Sequence, residues 1–168
     1  MEFEKEDRMT AYEKVLDLIK PKLILELGSD NFLISTAIFI KYIRREGGQL
    51  DSVNIKVIPE SFADFSEIWT ITQQSNTLNV LSMCADKYIR YDLIFIDTSR
   101  SYIPTIAEMF FASKVTDSIL INNALSEGDK TDSEKGGVKR AIEEWIKNYP
   151  EWKRVDLRDD NIALLTKE

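Results

Sequence analysis

The residues able to do chemistry in this sequence fall where apolar runs end. Glu26, Gly28 and Ser29 close the run that begins at Leu23, and Asp97 closes the run Leu93-Ile94-Phe95-Ile96, with Arg100 three residues further on. Asn122 and Asn123 close Ser118-Ile119-Leu120-Ile121. Histidine is absent and Cys84 is the single cysteine. That removes the Ser-His-Asp triad, the Cys-His dyad, imidazole zinc sites and any disulfide framework. What remains is carboxylate, amide, hydroxyl and guanidinium chemistry. Any metal must be a hard cation held by oxygen, and the one set that approaches this is Asp97 with Asn122 and Asn123. One carboxylate and two amides carry little charge for Mg²⁺, so the sequence argues against a divalent metal. Arg100 stays protonated and cannot serve as a base, but it can bind an anionic group.

Each of these residues also has a plainer reading. Glu26 can be a solvated strand terminus, and Asn122 and Asn123 can be turn formers, since Asn tolerates left-handed backbone. Asp30 reads as a helix N-cap, where a negative side chain is stabilising, and Phe32 as core filling. Asp97 can cap the loop after its strand. Cys84 reads as a small buried hydrophobe, and Trp69, Trp145 and Trp152 read as core.

The elements that position these residues follow from periodicity. Tyr12, Val15, Leu16 and Ile19 recur at helical spacing until Pro21, giving an N-terminal helix within residues 1–20. A buried strand is expected over 23–27, a helix from 32 to about 45 ended by Gly47-Gly48, and a second strand over 50–58. Phe62, Phe65, Ile68, Trp69 and Thr72 suggest a second crossover helix over 62–74, followed by a short strand over 78–81. The clearest strand lies between Asp92 and Asp97; a helix follows from about 103 to 115, then the strand from Ser118. Residues 126–137 read as a flexible surface loop, and Val138, Ala141, Ile142, Trp145 and Tyr149 mark an amphipathic helix stopped by Pro150. Two short strands, 153–157 and 161–165, close the chain, and their three-residue connection forces antiparallel pairing. Alternating strands and helices imply a doubly wound parallel sheet. The expected fold is therefore α/β: a Rossmann-like three-layer α/β/α sheet of seven strands, mostly parallel, with a C-terminal antiparallel hairpin. In such sheets ligands bind at the carboxyl ends of the strands near the topological switch point, which favours a functional placement for Asp97.

Composition sets the outer bounds. The 168 residues carry 22 Lys and Arg against 29 Asp and Glu, a net charge of −7, with 43% hydrophobic and 30% charged residues. This is ordinary for one globular domain and argues against wholesale nucleic-acid binding, which needs a basic face. The apolar stretch around residues 31–40 is too short to span a bilayer. With a charged N-terminus and one unpaired cysteine, the expected home is the cytoplasm.

Taken together, four segments resemble the class I S-adenosylmethionine-dependent methyltransferases, closest to the catechol O-methyltransferase kind and its small bacterial relatives. Leu23-Ile24-Leu25-Glu26-Leu27-Gly28 is similar to the family's first motif. Tyr91-Asp92-Leu93-Ile94-Phe95-Ile96-Asp97, with Ser101-Tyr102, is similar to its Asp-ending strand and trailing Tyr. Ile121-Asn122-Asn123 resembles its Asp-Asn segment, and Gly136-Gly137-Val138-Lys139-Arg140-Ala141 the helix before the closing hairpin.

The resemblance implies S-adenosylmethionine as cofactor, held by Glu26, Gly28, Ser29, Asn54 and Asp97. It implies methyl transfer to oxygen or nitrogen of a small-molecule acceptor faced by Asp97, Arg100 and Asn123. The departures lie in the site: Asp30 and Phe32 stand where relatives carry glycine, and Asn54 where they carry a ribose-binding acid. Asn122 stands where metal-dependent relatives carry Asp, and Arg100 where others carry Lys or His. A non-catalytic scaffold on the same fold is the alternative. The sequence leaves a homodimer open.

Overall fold

The computed structural model describes residues 2–28, 33–54, 64–73, 76–128, 136–159 and 161–168, with side chains from residue 11 onward. In chain order the elements are α1 (Glu2–Ile19), β1 (Leu23–Leu27), α2 (Ile34–Glu46), β2 (Gln49–Val53), β3 (Trp69–Thr72) and α3 (Thr77–Asp86). They continue with β4 (Leu93–Ile96), α4 (Tyr102–Ala112), β5 (Ser118–Asn122), α5 (Gly137–Asn148), β6 (Trp152–Val155) and β7 (Ile162–Lys167). The seven strands form one sheet in the order β3-β2-β1-β4-β5-β7-β6. The first five strands of that order are parallel. β7 runs antiparallel to both β5 and β6, so the closing hairpin pairs as its short connection requires. The strand order reverses between β1 and β4, which puts the switch point beside Glu26, Gly28 and Asp97.

Both faces of the sheet are covered, as an all-apolar central strand such as Leu93-Ile94-Phe95-Ile96 demands. Ile24, Leu50, Phe95 and Leu120 face α1 and α2, packing on Val15, Leu16, Phe39 and Ile43. Tyr12, Phe39 and Phe95 meet edge to face with centroids 5.5–6.0 Å apart, each pair adding about 0.5–1.5 kcal/mol beyond area burial. Leu25, Leu27, Ile94, Ile96 and Ile121 face the other way, onto Leu81, Met109, Ile142 and Trp145 of α3, α4 and α5. By the strand period of two, Glu26 shares the face of Ile24 and points at α2.

Two expectations fail, and they fail together. The helix expected over 62–74 is instead a single turn at Asp64–Phe65 followed by β3 over Trp69–Thr72; residues 62, 63 and 74 lie outside the described residues. Trp69, Thr70, Ile71 and Thr72 are aromatic and β-branched, and Leu50 through Val53 offers them a ladder; pairing overrides a helical period that spans so few residues. The strand expected over 78–81 is the first half of α3. Asn76 caps it, accepting from the Leu78 N–H at 2.9 Å, and Thr77, Val80, Leu81 and Cys84 form its buried stripe. The strand count survives because one strand was exchanged for another. The second strand ends at Val53, and α2 starts at Ile34.

Candidate functional site at the carboxyl ends of the strands

Gly28, Asn54, Asp97 and Asn122 follow or end β1, β2, β4 and β5, so the sheet sets them in one row. Their backbones are tied together: the Gly28 N–H donates to the Val53 carbonyl at 2.9 Å, and the Asp97 N–H to the Leu27 carbonyl at 2.9 Å. Gly28 has φ +73°, and a Cβ there would stand 2.6 Å from the Asp97 carbonyl oxygen. Glycine is thus required where β1 and β4 diverge. Asn54 has φ 61° and donates its N–H to the Thr72 carbonyl at 3.0 Å. Its left-handed backbone, just past the end of β2, is one that Asn tolerates. Ser29, Asp30, Asn31 and Phe32 lie outside the described residues.

Asp97, Asn122 and Asn123 come together as one cluster. Asn122 Nδ2 donates to Asp97 Oδ1 at 3.0 Å, and Asn123 Nδ2 donates to the same oxygen at 3.4 Å. Asn123, with φ 57°, donates its own N–H to Asn122 Oδ1 at 2.9 Å. That last bond fixes the Asn122 amide, because its oxygen must face the N–H and its nitrogen therefore faces Asp97. The donor set does not fit a divalent cation: amide N–H groups point at the carboxylate where a metal would need oxygens. Among the described residues no group of three or more His, Cys, Asp or Glu is placed to hold a metal.

Arg100 lies on the loop between β4 and α4, exposed, and its carbonyl accepts from Ser126 Oγ at 3.5 Å. This bond joins the loops after β4 and β5. Nearby, Arg140 lies over the Tyr102 ring at 5.4 Å and pairs with Glu144 at 3.5 Å.

Glu26 is fully buried. Its carboxylate accepts from Ser35 Oγ at 2.7 Å, from Thr36 Oγ1 at 2.9 Å on each oxygen, and from Ser52 Oγ at 2.8 Å. Trp69 Nε1 donates in turn to Ser52 Oγ at 2.8 Å. Burial pushes its pKa from 4.5 up to about 7, against the opposing effect of the hydroxyl donors. The carboxyl thus bolts β1 to the first turn of α2, to β2 and, through Ser52, to β3.

A second buried acid, Glu108 of α4, was not singled out from sequence. It accepts from the Thr77 hydroxyl at the start of α3 and from Thr98 Oγ1, at 2.6 Å, next to Asp97. Burial raises its pKa, again against its hydroxyl donors. The available signal was a lone carboxylate inside the apolar stretch Ile106-Ala107-Glu108-Met109-Phe110-Phe111. Ser35 and Thr36, Glu26's partners, carry no comparable signal. A groove of about 440 Å³ between α1 and α2, lined by Leu16, Leu33, Ile38 and Tyr42 among others, includes none of the strand-end residues.

The strand order and closing hairpin define a Rossmann-like methyltransferase fold, and solved structures agree. A Klebsiella pneumoniae protein assigned as an O-methyltransferase superposes with TM-score 0.71 at 18% identity, over 96% of this chain and 80% of that one. The MycE methyltransferase of the mycinamycin biosynthetic pathway, solved with Mg, S-adenosylhomocysteine and mycinamycin VI, gives 0.68 at 15% identity, over 93% of this chain and 48% of that one. The O-methyltransferase TomG of Streptomyces achromogenes, solved with S-adenosylmethionine, gives 0.65 at 16% identity, over 95% and 79%. Neither a protein-family model nor a curated protein sequence matches the chain. No helix among the described residues is long and apolar enough to cross a membrane.

Proposed function

We propose that the protein is an S-adenosylmethionine-dependent methyltransferase that acts on an oxygen or nitrogen of a small molecule. The observation that carries this reading is the row of Gly28, Asn54 and Asp97 at three adjacent carboxyl ends, across the switch point of a methyltransferase sheet. S-adenosylmethionine bound there supplies a sulfonium-activated methyl group. Gly28, Ser29 and Asn54, with Asp97 at the next strand end, hold the cofactor. Glu26 acts from beneath, keeping the end of β1 and the first turn of α2 in fixed relation through its hydroxyl contacts.

Asp97, Asn123 and Arg100 face the acceptor. The cofactor, held by Gly28, Ser29, Asn54 and Asp97, would supply its methyl group to the acceptor's oxygen or nitrogen, which would give up a proton. Asp97 is the carboxylate available to receive that proton, since Arg100 stays charged. Positioning supplies most of the rate in such a transfer. No step is assigned to a metal, because the Asp97 cluster does not offer converging oxygens. The enzyme acts on a small molecule rather than nucleic acid, in keeping with its net charge of −7, and resides in the cytoplasm as a single domain. The test is calorimetric titration with S-adenosylhomocysteine, followed by a methyl-transfer assay with labelled S-adenosylmethionine over a panel of small phenols and amines. Cofactor binding and label transfer support the reading, and a folded protein that binds no cofactor overturns it.

A further inference from the structure

We infer that Glu108 is a positioning residue for the strand-end site: its buried carboxylate clamps the chain that follows Asp97 to the start of α3. This rests on the methyltransferase reading for what is positioned, and on separate contacts for the clamp itself. Glu108 lies on α4 and is 3% exposed. Its Oε1 accepts from the Thr77 hydroxyl, and its Oε2 accepts from Thr98 Oγ1 at 2.6 Å. Each oxygen therefore holds a different segment. Thr77 opens α3, the helix after β3, and Thr98 lies just past β4. In the sheet order β3-β2-β1-β4 these strands flank the pair whose ends carry Asn54 and Gly28. One carboxylate thus ties together the segments that border the row on either side.

An apolar side chain would fill this position at lower cost, because burying a carboxyl group is unfavourable and two hydroxyl donors offset it only in part. What the carboxyl adds is the fixed relation of Thr77 to Thr98. Thr98 is where that relation reaches the site. Its Cα stands 3.2 Å from the position that a Cβ on Gly28 would take, so the chain after β4 packs directly on the β1 turn. Asp97, one residue earlier, is held by its N–H on the Leu27 carbonyl and by the amides of Asn122 and Asn123. Glu108 supplies the hold on the following residue. Thr98 is itself exposed, so burial alone does not keep it in place. With Thr98 released, a ligand in the row must order the Asp97–Thr98 segment on binding, at a cost in affinity.

The experiment titrates S-adenosylhomocysteine calorimetrically into the full chain as wild type, Glu108→Leu, Thr98→Val, the double variant and Glu108→Gln. Amide hydrogen exchange over residues 97–101 is followed in the same proteins, and circular dichroism confirms that each is folded. Glu108→Leu and Thr98→Val are each expected to bind at least about fivefold more weakly, the lower end of the coupling between linked sites. The double variant should bind no more weakly than Glu108→Leu, because the two changes remove one shared contact. Glu108→Gln should recover most of the affinity, since an amide accepts from one threonine hydroxyl and donates to the other. A purely structural role would move the melting temperature and leave the affinity of the folded protein alone. Wild-type affinity in Thr98→Val, or additive losses in the double variant, overturns the inference. If Glu108→Leu does not fold, Thr98→Val decides alone. If S-adenosylhomocysteine gives no heat with the wild type, the methyltransferase reading falls. Faster exchange over 97–101 in Thr98→Val then upholds the clamp, and unchanged exchange overturns it.

Discussion

Asn122 Nδ2 lies 3.0 Å from Asp97 Oδ1, so an amide donor sits against the carboxylate at the end of β4. The bond satisfies both groups without a cation, and the Asn123 N–H locks it by holding the other end of the Asn122 amide. In Asn122→Asp, two carboxylate oxygens would meet at that distance, and like charges so close oppose each other unless a cation lies between them. The expected outcome is a melting temperature several degrees below wild type in chelator, recovered by millimolar Mg²⁺ in the variant but not in the wild type. Thermal-shift measurements with and without Mg²⁺ check this. Equal Mg²⁺ responses would show that the amide is not what keeps a divalent ion out.

Glu26 makes stability depend on pH in a stated direction. Its folded pKa is about 7 against an ordinary 4.5, so across that window the native state keeps a proton that the unfolded chain releases. Stability therefore falls as pH rises from about 4.5 to about 7, and levels off above. Glu26→Gln removes this slope while keeping a group that fits the hydroxyl cage. Relative to wild type, the variant should gain roughly 2–3 kcal/mol between about pH 5 and pH 8, at about 1.4 kcal/mol per unit of displacement. Urea unfolding at the two pH values measures it, and an unchanged difference between the proteins contradicts it.

Gly28 is fixed by backbone, not only by a ligand. A methyl group there would stand 2.6 Å from the Asp97 carbonyl oxygen on a backbone with φ +73°. Left-handed geometry alone costs a non-glycine residue about 1–2 kcal/mol. Gly28→Ala should thus be destabilised by at least about 2 kcal/mol in denaturant, whether or not cofactor is present. Loss of binding in Gly28→Val therefore reports on the β1–β4 junction as well as on the pocket, which makes it a poor probe of cofactor contact.

Asn54 is the cleaner probe, because its left-handed backbone at the end of β2 is one that Asp also tolerates. Asn54→Asp supplies a charged acceptor for ribose hydroxyls. Charged hydrogen bonds contribute about 1.5–3 kcal/mol against about 0.5–1.5 for neutral ones, so S-adenosylhomocysteine should bind about tenfold tighter. Titration of the variant beside the wild type checks it; no gain would place the ribose away from residue 54.

What the sequence made legible was whatever is local and strongly patterned. Leu93-Ile94-Phe95-Ile96 between two aspartates can only be a buried strand, and the short turn before Ile162 dictates the antiparallel hairpin. Trp69 through Thr72 and Leu78 through Leu81 differ from expectation because each apolar run is short enough to satisfy either period, and the decision is made by β2 and by the Asn76 cap. The strand ends that line the candidate site were readable from the same runs. Their partners were not: Ser35, Thr36 and Ser52 converge on Glu26, and Thr77 and Thr98 on Glu108, from positions up to 31 residues apart. Burial of the two acids exists only once the layers pack.

The central claim is that the row Gly28, Asn54 and Asp97 holds S-adenosylmethionine, and calorimetric titration of the full chain with S-adenosylhomocysteine tests it most directly. Binding to a single site, weaker than in an Asn54→Asp variant by about tenfold and accompanied by a rise in melting temperature, is the predicted result. A folded protein that gives neither heat nor thermal shift at saturating ligand would contradict it, and would leave a methyltransferase fold serving as a scaffold.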